Sequence, residues 1–125
     1  MNDIPEAAVQ PSARLSITRA SHADAEVLTA AGEIDASTIP LLSEALSGAS
    51  TATAGGARTV LDLSAVTFMD STGINALLTG HRAAEEAGGW LRLAGLDGPV
   101  WRVVELVGVH HVLSCHPSVA EALDA

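Results

Sequence analysis

The chain has 125 residues, 48% of them apolar, enough for one domain around one core. Fifteen acids against six arginines and no lysine give a formal charge of −9, which argues against nucleic acid and anionic membrane surfaces, because both need a cationic footprint. The single cysteine, Cys115, excludes an internal disulfide. No apolar run approaches the roughly 20 residues that span a bilayer, and Met1–Arg14 lacks the basic and apolar segments of a signal peptide. A cytoplasmic protein is the expectation.

Residues 1–13 carry two prolines and scattered small residues and read as a loose tail before a single domain over 14–125. Leu15–Arg19 alternates like a strand, 20–25 reads as a hairpin turn with His22 exposed in it, and Glu26–Ala31 reads as a second strand. After Gly32-Glu33-Ile34-Asp35, a helix is predicted over 39–46, capped by Ser37 or Thr38, with Pro40 in its first turn and Ile39, Leu42 and Leu46 facing inward. The Gly/Ala/Ser/Thr stretch 47–57 reads as a loop. Residues 58–63 read as the central strand, and 71–87 as a helix ended by Gly88-Gly89. Trp90–Ala94 is a further strand, Gly98-Pro99 opens a helix bearing Val100, Val103, Val104 and Val107, 109–113 reads as a short strand, and 117–123 as a closing helix. The order β-β-α-β-α-β-α-β-α predicts an α/β fold. It should be a mixed sheet of about five strands, an antiparallel hairpin followed by parallel strands with right-handed crossovers, and about four helices mainly on one side.

The stretch that organises the chain runs from Thr59 to Ile74. It reads as a buried strand, a short turn and a helix start, with the cap-forming types Asp70, Ser71 and Thr72 just ahead of the apolar helical spacing. A helix start favours an added anion, since unpaired N–H groups and the positive end of the helix dipole converge there. A serine hydroxyl beside a carboxylate at that point suggests a phosphate-accepting switch. Capping the helix is the alternative role for Ser71, and one hydroxyl can do both. Asp70 is read either as orienting that hydroxyl or as stabilising the helix start, and Gly73 as permitting close backbone approach.

The blocks Gly32-Glu33-Ile34-Asp35, Val60-Leu61-Asp62-Leu63-Ser64 and Phe68-Met69-Asp70-Ser71-Thr72-Gly73-Ile74 resemble, in order and spacing, the STAS domain of bacterial anti-sigma factor antagonists. The resemblance covers nearly all of 15–123. It implies a regulatory protein that binds an anti-sigma factor, itself a serine kinase, and so frees a sigma factor. It also implies that the kinase phosphorylates Ser71 and loses its grip, and that a PP2C-type phosphatase resets the switch. Thr72 is the neighbouring candidate acceptor. Asp35, Asp70, Thr72 and Gly73 are implied as partner-binding or phosphate-proximal. On charge alone Asp35, Asp62 and Asp70 are candidates to feel an added phosphate, but Asp62 lies within the strand and reads rather as structural or as a strand-end cap.

No catalytic function is expected, since the chain has no G-x-S-x-G elbow, no Walker A loop and no H-E-x-x-H. An aspartyl-phosphate receiver would want a lysine that is absent. No metal site is expected from His110, His111, Cys115 and His116, and Cys115 reads as an inert thiol. No cofactor is expected, beyond weak contact with a nucleotide held by the kinase. Two other roles share the fold: an accessory subunit regulating a lipid-transport ATPase, and a degenerate module that binds an anti-sigma factor without being modified.

Overall fold

A row of side chains crosses the centre of the molecule. Leu28, Leu61 and Leu93 are partners in register on neighbouring strands and have no exposed surface. They belong to β2 (Ala25–Ile34), β3 (Arg58–Met69) and β4 (Trp90–Ala94). With β1 (Leu15–His22) and β5 (Ser114–His116), these make one five-stranded sheet in the order β1-β2-β3-β4-β5. β1 and β2 are antiparallel, and every later pairing is parallel. This is the mixed α/β sheet expected from the element order. The computed structural model describes residues 14–22, 24–51 and 56–125; the expected tail, 1–13, lies outside them.

Strand alternation sorts the side chains onto two faces. On one, Leu28, Ala30, Leu61, Leu63, Leu91 and Leu93 meet three helices: α1 (Ile39–Thr51) through Leu42 and Leu46, α2 (Ser71–Glu86) through Ile74 and Leu77, and α3 (Gly98–Val107) through Val100 and Val104. On the other, Val27, Val60 and Ala94 meet only the short α4 (Val119–Asp124) through Ala122. Ser118 caps α4 by accepting from the Glu121 amide at 3.2 Å. The four helices therefore lie mainly on one side.

The hairpin turn expected over 20–25 is largely strand, because β1 runs on to His22 and β2 begins at Ala25, its partner in register. Three further segments differ from the sequence reading. First, α1 runs on through 47–51, where a loop was expected. No proline interrupts that stretch, and extending a formed helix is far easier than nucleating one. Second, residues 109–113 do not form a strand. Gly108 closes α3 in the left-handed conformation (φ +87°), which favours glycine, and Val109–His111 follows as a single 3₁₀ turn. Val109 and Leu113 are buried at helical spacing, joined by the Leu113 amide donating to the Val109 carbonyl at 2.8 Å, and the strand begins only at Ser114. Third, β3 continues six residues past Leu63, to Met69. Against β2 it carries an extra residue between Asp62 and Ala65 and another between Val66 and Phe68. Each bulge turns a spacing of two into three, so the buried positions run Leu61, Leu63, Val66 and Met69.

Candidate functional site

β2 and β3 end side by side. Ile34 and Met69 are their last partners in register, and the Asp70 amide donates to the Ile34 carbonyl at 3.3 Å. Asp35 and Asp70 therefore leave adjacent parallel strands at their carboxyl ends, a position where open α/β sheets commonly place binding residues.

Asp70 is the N-cap of α2, with extended backbone (φ −112°, ψ −170°). Its Oδ1 accepts from the Thr72 amide at 3.0 Å, from the Gly73 amide at 3.3 Å, and from the Thr72 hydroxyl. The Thr72 hydroxyl is the chief reason its carboxyl sits below the ordinary value of 3.8; the amides of Gly73 and Thr72 add to this and desolvation opposes it. The carboxylate thus takes up two of the donors, the Thr72 and Gly73 amides, that a helix start offers to an anion. Ser71 is not the cap. It is the first helical residue, it is exposed, and its hydroxyl has no hydrogen-bond partner among the described residues.

Gly73 is buried under this turn. A Cβ there would come within 2.7 Å of Met69 Cγ and 2.8 Å of Ile34 Cγ2. The missing side chain lets α2 start flush against the ends of both strands.

Asp35 is held on both carboxylate oxygens. Oδ1 accepts from the Ser37 amide at 3.0 Å and the Ser37 hydroxyl at 2.7 Å, and Oδ2 is paired with the Arg14 guanidinium. Thr38, fully buried, ties the loop into α1: its hydroxyl accepts from the Asp35 amide at 2.9 Å and donates to the Glu33 carbonyl at 3.0 Å.

Asp62 is not part of this cluster. Its Oδ1 accepts from the Ser64 amide at 3.0 Å, and the residue pairs in register with Ala94, at the end of β4. Because β3 runs on to Met69, Asp62 lies roughly 20–25 Å along the strand from Asp70 at ordinary strand rise. Charge added at Ser71 is screened over that distance.

Two residues at this end were not singled out in the sequence. Phe68 is 46% exposed and pairs with Glu33; the second bulge brings it out of the core. Arg14 reaches Asp35 and Glu33 from the start of β1, and no local motif marks it.

Elsewhere, burial raises the Cys115 thiol above its usual range, which disfavours the reactive thiolate. Among the described residues, no group of three or more His, Cys, Asp or Glu is arranged to hold a metal, and no helix is long and apolar enough to cross a membrane.

A family model described as "Mlab, STAS domain" matches residues 17–114. The anti-sigma-F factor antagonist RsfA of Mycobacterium tuberculosis is 29% identical over 111 residues, covering 89% of this chain and 87% of the relative. Among solved structures, an anti-sigma factor antagonist from Mycobacterium paratuberculosis superposes with a TM-score of 0.78 at 26% identity, over 88% of this chain and 92% of that one. The anti-sigma factor antagonist SpoIIAA in its unphosphorylated form shares the fold, with a TM-score of 0.70 at 21% identity over 87% and 94% of the two chains.

Proposed function

The chain belongs to the STAS domain family, and from that premise we propose that residues 14–125 act as one regulatory domain, an anti-sigma factor antagonist switched by phosphorylation at Ser71. In the unmodified state the carboxyl ends of β2 and β3, with the first turn of α2, bind an anti-sigma factor that is also a serine kinase, and a sigma factor is released. The domain is the kinase's substrate and catalyses nothing itself. A PP2C-type phosphatase removes the phosphate.

One observation carries this reading: Asp70 performs the capping, which leaves the exposed Ser71 hydroxyl without a structural task. The neighbouring Thr72 hydroxyl donates to Asp70, which favours Ser71 over Thr72 as the acceptor. A phosphate adds about −1.5 to −2 charges and three acceptor oxygens, beside Asp35 and Asp70. A contact packed over Ser71 would have to desolvate that group next to two carboxylates. Breaking such a contact commonly costs a few kcal/mol, a tenfold to hundredfold loss of affinity at about 1.4 kcal/mol per decade.

The test is to incubate the full chain with each purified anti-sigma factor kinase of its genome and ATP, and to map the modified side chain by mass spectrometry. Phosphate on Ser71, followed by release from that kinase, is the expected result. Ser71→Ala should stay bound in ATP, and Ser71→Glu should bind weakly without it. Modification confined to Thr72 moves the switch by one residue. Stable binding to a transporter ATPase subunit, with Ser71 untouched by every kinase, overturns the proposal.

A further inference from the structure

All six arginines lie within the described residues, and Arg14 alone is paired with the acids at the carboxyl end of β2. Its Nε lies 3.3 Å from Glu33 Oε1, its Nη2 is paired with Asp35 Oδ2, and the same nitrogen donates to the Ser37 hydroxyl at 3.2 Å. Its own carbonyl accepts from the Glu33 amide at 2.8 Å, so the arginine is anchored to β2 by backbone as well as side chain. Arg14 itself is half exposed, while the Asp35 side chain that it covers is only 19% exposed.

We propose that Arg14 is a positioning residue for the switch: acting through Asp35, it fixes that carboxylate beside the start of α2 and keeps the unmodified surface at a charge that the partner tolerates. The inference rests on the phosphorylation reading above. Glu33, Asp35 and Asp70 bring three negative charges to the strand ends, and Arg14 returns one. If the partner lets go when Ser71 gains a phosphate, it is sensitive to added negative charge at this edge. Removing Arg14 moves the surface in the same direction by a smaller step. It also frees one oxygen of Asp35 from its counter-ion, leaving the side chain held by Ser37 alone. The planar guanidinium suits this place because one group spans Glu33, Asp35 and Ser37, which a point charge on a flexible stem does less well.

The experiment uses the full chain and the kinase that modifies Ser71, without ATP. Affinities are measured for wild type, Arg14→Ala, Arg14→Lys, Asp35→Asn, the Arg14→Ala/Asp35→Asn double variant and Ser71→Glu, at low and high salt. Arg14→Ala should weaken binding about three- to tenfold, and Arg14→Lys, which restores the charge but not the fork, should recover part of the loss. The Arg14→Ala loss should shrink at high salt, because the charges lie near the surface, and it should be clearly smaller in the Asp35→Asn background, where only the change in net charge remains. Unchanged thermal midpoints for Arg14→Ala and Arg14→Lys exclude a folding defect as the cause. If Ser71→Glu is released while Arg14→Ala binds like wild type, the role of Arg14 is wrong and the phosphorylation switch stands. If the Arg14→Ala loss adds in full to that of Asp35→Asn, Arg14 does not act through Asp35, and the proposal fails. If Ser71→Glu binds like wild type, the switch reading falls and takes this inference with it.

Discussion

Replacing Asp70 by alanine removes an acceptor that serves the Thr72 amide, the Gly73 amide and the Thr72 hydroxyl. Loss of an N-cap carboxylate of this kind costs about 1 kcal/mol, which for a chain of this length lowers the thermal midpoint by about 3–5 °C. Asparagine keeps an acceptor oxygen and loses only the charge at the positive end of the helix, so Asp70→Asn should cost about 0.3–1 kcal/mol. The pH dependence follows from the sign of the shift. The folded carboxyl lies below its ordinary value of 3.8, so the unfolded chain takes up the proton first as pH falls. The charge-dependent part of the stabilisation is therefore complete above about pH 4 and is lost as pH falls through the folded value. Urea denaturation of wild type, Asp70→Ala and Asp70→Asn from neutral pH down to about pH 2.5 should show the gap between wild type and Asp70→Asn narrowing below pH 4. A gap that stays constant over that range would refute the role given to the charge. An Asp70→Ala variant as stable as wild type would mean that another group, such as the Ser71 hydroxyl, caps α2.

Gly73→Ala places a methyl group within 3 Å of the Met69 and Ile34 side chains; Met69 is flexible, Ile34 much less so, and chemical denaturation should show a loss of about 1–3 kcal/mol. Phe68→Ala exposes no new core and should leave the thermal midpoint within about 2 °C, while kinase affinity measured by calorimetry falls about tenfold or more, as for aromatic anchors at interfaces; a stable variant with undiminished affinity would remove Phe68 from the contact. Ser71→Glu should change stability by less than about 1 kcal/mol, because the favourable helix dipole and the unfavourable Asp70 charge oppose each other there; a loss of several kcal/mol in denaturation would point to refolding rather than exclusion.

The Asp70-Ser71-Thr72-Gly73 turn was legible because its chemistry is local. Cap-forming residues, a helix beginning and a glycine lie in consecutive positions, and the hydrogen bonds that define the turn span only two or three residues. Its inner assignment was not legible: nothing in four adjacent polar or small residues says that Asp70 caps and Ser71 stays free. The second half of β3 was hidden because period-two reasoning stops where the bulges begin, which also left Phe68, read only as an apolar residue ahead of the turn, without a role. Arg14 was invisible for a different reason. Its pairing with Asp35 depends on the antiparallel register that places Leu15 opposite Gly32, a tertiary fact that a single sequence does not carry. The 3₁₀ turn at Val109–His111 was mistaken for a strand because valines satisfy either reading, and only the left-handed Gly108 decides between them.

The occupied cap changes how a phosphate on Ser71 would act. An open helix start could draw the phosphate in, satisfying its oxygens with free amides and ordering the turn around it. Here the Thr72 and Gly73 amides already serve Asp70, so an anion at Ser71 would compete with a carboxylate for them. Little free energy is left for an internal rearrangement, and Ile34, Met69 and Gly73, packed together beneath the turn, leave little room for one. The change is then concentrated in what the surface presents: about two further negative charges beside Asp35 and Asp70. A phosphorylation switch built this way would act by refusing a partner rather than by reshaping itself, and its sensitivity would depend on the charge balance at the strand ends.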